Sequence, residues 1–177
     1  MKTLSKILSL AALSVGFTTS NLQADTLGDV MKAEGIDKML GTWVDADTNG
    51  EKFKITYRWK VKGHAVELSL KTEESTSTAL IVYDQGSEKV IHMGVNSKGE
   101  LGRGTWSTRD GVAILDLTQT NAEGQEVELK ISHKVAGKRS LTIGFEMKAT
   151  GENGEISLVR PAKKPKVAKE QDGEKKK

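Results

Sequence analysis

Five residues carry the side chains from which this chain could build a binding site: Tyr57, Trp59, Arg103, His133 and Phe145. Arg103 and His133 both donate hydrogen bonds, so together they would hold an acidic head group. Trp59 and Phe145 would line an apolar portion, and Tyr57 adds a ring with a polar tip. The same residues suggest a reaction, with His133 as general base and Arg103 stabilising an anion. That chemistry requires the two to converge and a third group to orient the imidazole, and the sequence names no such group.

Other candidates are weaker. Asp45-Ala46-Asp47-Thr48-Asn49-Gly50 matches the first half of a calcium-binding loop, but position twelve is Thr56 instead of a bidentate glutamate. The same residue types suit a hairpin turn. His64 follows a turn glycine and is expected to be exposed. His92 alternates with Ile91 and Met93 and is expected to point outward. No two histidines have the short spacing of a metal site on one strand, so no metal is assigned. No Gly-x-Ser-x-Gly elbow occurs, which leaves Ser69 and Ser132 without nucleophile context. Glu73-Glu74, followed by serines and threonines, reads as a solvated loop. The chain has no cysteine, which removes disulfides and thiol chemistry. No motif calls for a cofactor.

The elements that must position these residues are strands. From Gly41 to Arg160 short alternating runs are separated by turn signals, a pattern predicting an antiparallel meander. In 52–61, Phe53, Ile55, Tyr57, Trp59 and Val61 fall on one face, and Lys52, Lys54, Thr56, Arg58 and Lys60 on the other. Val127, Leu129, Ile131, His133 and Val135 repeat the pattern, as do Leu141, Ile143, Phe145 and Met147. Between them, Ile91, Met93 and Val95 are read as inward. Gly102 and Gly104 interrupt a strand over 101–107 and suggest a bend or bulge, with Arg103 read as inward. About ten strands result, and no stretch between them is long enough for a helical crossover. The fold class predicted is all-β: an antiparallel up-and-down barrel of about ten strands with a short N-terminal helical segment over 25–40.

Two appendages flank this body. Residues 1–24 read as a secretory signal: Lys2 and Lys6, an apolar run from Ile7 to Phe17, and a small residue, Ala24, before the cut. The run is shorter than the roughly 20 residues of a bilayer span. The protein is therefore expected to be exported, to the periplasm or beyond. Residues 161–177 hold both prolines and seven lysines and are predicted to be disordered. The formal net charge of +3 comes from these ends, since the leader adds two positive charges and the tail a net four, leaving 25–160 at −3. That balance argues against a nucleic-acid face on the folded domain, while the tail suits weak contact with an anionic surface. Lysine and glutamate dominate the outward faces, so a soluble barrel is expected instead of a lipid-facing one.

Gly41-Thr42-Trp43 opens the first strand, and Arg160 ends the last. In a closed barrel these strands are neighbours, and Arg160 would stack on the indole. In this the chain resembles the lipocalin and fatty-acid-binding superfamily, whose first strand carries Gly-x-Trp under an arginine from the last. It is closer still to small exported bacterial lipocalin-like domains of unknown function, which carry a Tyr-x-Trp strand, here Tyr57 to Trp59, and a later Gly-Thr-Trp, here Gly104 to Trp106. The resemblance covers about Met39 to Arg160. It implies that Trp43 and Arg160 close the barrel and that a small hydrophobic or amphipathic molecule binds inside a monomer. The alternative is a filled barrel, without ligand, acting as an interaction or envelope-associated module.

Overall fold

The structure, a computed structural model, describes residues 26–162. The signal expected over 1–24, and all but the first two residues of the expected tail, lie outside them.

The chain begins with helix α1 (Leu27–Ala33), followed by a 3-10 turn (Asp37–Met39). Thr26 caps α1, accepting from the Asp29 amide while the Asp29 carboxylate takes the Thr26 amide, a capping box that fixes the start of so short a helix. Ten strands follow: β1 (Gly41–Asp45), β2 (Phe53–Val61), β3 (Ala65–Thr72), β4 (Thr76–Asp84), β5 (Lys89–Asn96), β6 (Leu101–Arg109), β7 (Val112–Thr120), β8 (Glu126–Ala136), β9 (Ser140–Met147) and β10 (Asn153–Val159). Each pairs antiparallel with its neighbours in the chain, and β1 pairs with β10, so the sheet closes as an up-and-down barrel. Closure leaves no unpaired edge. Among the described residues no helix is long and apolar enough to cross a membrane.

The interior follows from the register. Ile55 lies beside Leu70, Leu68 beside Ala79, Leu115 beside Ile131, and Ile143 beside Ile156. Leu27 and Met31 of α1 are buried with this core, so the helix stoppers one end of the barrel. It approaches closely because Gly28 has no side chain: its amide donates to the Gly63 carbonyl at 2.8 Å, and a Cβ there would lie 3.3 Å from Gly63 Cα. Thr108 on β6 donates to Glu34 just past the helix end.

Two strands face the other way from their expected phase. In β5 it is His92 that lies inside, only 7% exposed, while Met93 is 59% exposed. Register explains it: His92 is held between Ile81 of β4 and Gly104 of β6, both inward. Alternation favours the opposite phase, because Ile91, Met93 and Val95 share one parity, but the pairing with β4 and β6 decides the face. In β6 the pairing with β7 runs unbroken from Leu101–Thr120 to Arg109–Val112, so there is no bulge. Gly102, Gly104 and Trp106 therefore form the inner face, and Arg103 points outward beside Met93 and Thr118. Gly104 is demanded by space, since a Cβ there would stand 2.2 Å from the Asp116 carbonyl oxygen.

Candidate functional site

The barrel interior is divided into two spaces by a layer of rings. Tyr57 (β2), His92 (β5), Trp106 (β6) and His133 (β8) come from four strands. Trp106 and His133 have ring centroids 5.0 Å apart, His92 and Trp106 6.1 Å, and Tyr57 meets His133 edge-on at 6.0 Å. On the helix side lies a void of about 160 Å³, walled by Leu27, Met31, Tyr57 and Trp106 among others. On the other side lies a cavity of about 400 Å³.

That cavity has aliphatic walls, including Ile55, Leu68, Leu115, Leu117, Ile131 and Ile143. It exists because two glycines oppose each other where side chains would otherwise meet: Gly94 on β5 pairs with Gly102 on β6, and both line it. His92 and His133 line it at the ring layer. Phe145, 45% exposed, stands at the opposite, open end, its ring lying over Gly154 of the neighbouring strand. There Glu100 accepts hydrogen bonds from Asn96 at 2.6 Å and from Gln119. Glu100 is the one carboxylate among the lining residues, and no lysine or arginine joins it.

The ring layer is polar but unsatisfied. Tyr57 Oη, His92 Nδ1, Trp106 Nε1 and His133 Nδ1 are all buried with no hydrogen-bond partner in the protein. A buried polar atom left so costs about 1–3 kcal/mol. Four in one layer weigh heavily against a total stability of about 5–15 kcal/mol. Burial disfavours the charged imidazolium: it pushes His92 down to about 4, and His133, which also feels His92, to about 3. Both rings are thus neutral at physiological pH, each with one donor and one acceptor nitrogen. Burial likewise pushes the Tyr57 phenol up, keeping it protonated.

Set against the five residues singled out from sequence, His133 and Phe145 line the cavity, and Tyr57 lies in the ring layer beneath it. Trp59 is on an inward face but packs half-buried near the helix end, away from the cavity. Arg103 is outside the barrel. The acidic head-group clamp of Arg103 with His133, and the catalytic pairing of the same two, are both corrected by that placement, and an imidazole held neutral down to about pH 3 is a poor base. His92 and Trp106 were missed. A signal for Trp106 existed: Gly102, Gly104 and Trp106 share one parity, and small residues on one face of a barrel strand mark the crowded inner side.

Three further features complete the picture. Arg160 stacks on Trp43 with its guanidinium carbon 3.5 Å from the ring centroid. The half-calcium loop is a turn whose Asp45 carboxylate is already occupied, accepting from the Thr48 amide at 2.9 Å, the Thr48 hydroxyl, and the Phe53 amide at 2.8 Å. On the outside, Leu80, Met93, Val95 and Leu101 make an exposed apolar run across β4–β6, interrupting the otherwise polar exterior. A shallow groove over β2–β5, with Lys54, Arg58 and Lys71 among its walls, is open to solvent and encloses nothing.

No protein-family model and no curated protein matches this chain.

Proposed function

We propose that this protein is an exported, monomeric, lipocalin-like barrel that binds a small, partly apolar molecule in the cavity beyond the ring layer. The observation that carries the proposal is the pairing of Gly94 with Gly102, which keeps about 400 Å³ of aliphatic-walled space open inside the barrel. Small-molecule sites commonly span roughly 300–1,000 Å³, mostly apolar with a few placed polar groups. Export is supported by the signal-like leader over 1–24. Kinship with lipocalins is supported by Gly41-Thr42-Trp43 lying under Arg160.

The test is a titration with N-phenylnaphthylamine, a neutral dye that brightens in apolar surroundings. Wild-type protein is expected to bind one equivalent with Kd in the micromolar range, about −8 kcal/mol. Gly102→Leu fills the hollow. Its new side chain starts 3.3 Å from the flexible end of Leu117, which has room to give, so the fold should persist. Dye binding should fall at least tenfold in Gly102→Leu while its circular dichroism and unfolding midpoint stay near wild type. Equal dye binding by the two proteins would refute an interior site.

A further inference from the structure

The cavity has a chemically marked floor and a marked mouth, and they differ. The floor is the cavity side of the ring layer, where His92 and His133 line the space, each with an unpartnered Nδ1, while Tyr57 and Trp106 line the helix-side void behind them. Both histidines are more than nine-tenths buried, His133 at 3% exposure and His92 at 7%. The mouth holds the Glu100 carboxylate, fixed by Asn96 and Gln119. No cationic side chain lines the space between.

We infer that the ligand enters polar end first and that this end is an uncharged hydrogen-bonding group, a hydroxyl, ketone, ester or amide, seated on His92 and His133 of the ring layer with the apolar remainder reaching toward Phe145. This rests on the binding reading above and narrows it to a ligand class. The floor offers both hydrogen-bonding senses, since each neutral imidazole has one donor and one acceptor nitrogen. A half-turn of either imidazole about Cβ–Cγ exchanges Nδ1 with Cδ2 in the same plane, so a nitrogen reaches an incoming group without repacking. A carboxylate meets the opposite conditions. It passes the Glu100 charge at the mouth and then loses its water in a chamber that supplies no cation. A quaternary ammonium finds no anion at the floor. An uncharged polar group loses far less on entry and relieves the unmade hydrogen bonds of the layer.

The experiment displaces N-phenylnaphthylamine at pH 7.5 with three probes of one chain length: 1-decanol, decanoate and decyltrimethylammonium, each below its aggregation limit. The same competition is run on the double variant His92→Leu/His133→Leu. Decanol should compete at least tenfold better than either ion on wild type. It should weaken at least tenfold on the double variant, its inhibition constant being referred to the dye Kd measured on that same variant. Circular dichroism and a cooperative urea transition check that the variant folds. Single variants His92→Leu and His133→Leu, each with a partial loss for decanol, serve if the double variant is unstable. Decanoate competing as well as decanol, or leucine variants holding decanol as tightly as wild type, would overturn the inference and leave the cavity reading standing. A wild-type protein that takes up no dye at all overturns the cavity reading, and this inference with it.

Discussion

Trp43→Ala should be the most damaging single substitution in the barrel, lowering stability by about 4 kcal/mol. Emptying a fully buried tryptophan site costs about 3–5 kcal/mol in general, and Trp43 is fully buried. Here more than volume is lost. The indole N–H donates to the Met39 carbonyl at 2.8 Å, which ties the 3-10 turn to β1. The indole face carries Arg160, whose guanidinium donates to the carbonyls of Lys38 at 2.8 Å, Leu40 at 2.7 Å and Thr42 at 3.3 Å. This matters because the seam is otherwise thin: β1 and β10 share only the pairs Val44–Val159 and Asp45–Leu158. Gly41 belongs to the same device, since a Cβ there would fall 2.4 Å from an Arg160 nitrogen. Trp43→Phe keeps the platform and should lose about half as much. Arg160→Lys, which has no planar fork to span three carbonyls, should cost about 1–2 kcal/mol. Urea unfolding at neutral pH measures all three. A Trp43→Ala midpoint within error of wild type would show that the seam does not depend on this stack.

Stability should also fall steeply in mild acid, by about 4 kcal/mol between pH 7.5 and pH 5. In the unfolded chain both buried imidazoles titrate near 6.5, while in the fold His92 is held at about 4 and His133 at about 3. A depressed folded-state value means that the unfolded state takes up protons first as pH drops. The stabilisation is therefore complete above about 6.5 and declines as pH falls toward 4 and then 3. At pH 5 both rings are still neutral in the fold, and each contributes a loss of about 2 kcal/mol. The carboxylates held low by their hydrogen bonds, Asp29, Asp45, Glu67 and Asp84, act only at lower pH and do not enter this window. The groups packed around the imidazoles, Tyr57 and Trp106, carry no charge there, and Glu100 lies at the far mouth. Urea unfolding across this range should show a slope approaching two protons. His92→Leu/His133→Leu should flatten the slope and match or exceed wild-type stability at neutral pH, because it removes two unsatisfied polar groups. A wild-type slope near zero would mean that these rings are solvated in the fold.

The residues that were legible in sequence and those that were not differ for one physical reason. In β2 and β8 the outer face is charged, so Lys54 and Arg58, or Glu128 and Lys130, leave the opposite face no alternative to the interior. The strand count, the turns and the inward face of His133 follow from that contrast. In β5 it disappears: Ile91, Met93 and Val95 are apolar yet outside, and of the inner residues Val90, His92, Gly94 and Asn96 only Val90 is aliphatic. Hydrophobic alternation then points the wrong way, and only the pairing with β4 and β6 sets the face. Arg103 was misplaced by the same logic, since its inner neighbours are glycines, which carry no hydropathy to read. The ring layer was illegible as a unit because its four members lie on four strands, from Tyr57 to His133, and meet only when the barrel closes.

The central claim is that a small molecule occupies the interior and reaches the ring layer. The chain has three histidines, two in that layer and His64 exposed outside it, so the side-chain nitrogens report directly. The measurement is a nitrogen-15 long-range correlation spectrum of the full, histidine-labelled chain at pH 7.5, recorded as 1-decanol is added. The account predicts that the His92 and His133 nitrogens shift together and saturate at one equivalent while His64 stays still. Unmoved His92 and His133 signals at saturating decanol would contradict it.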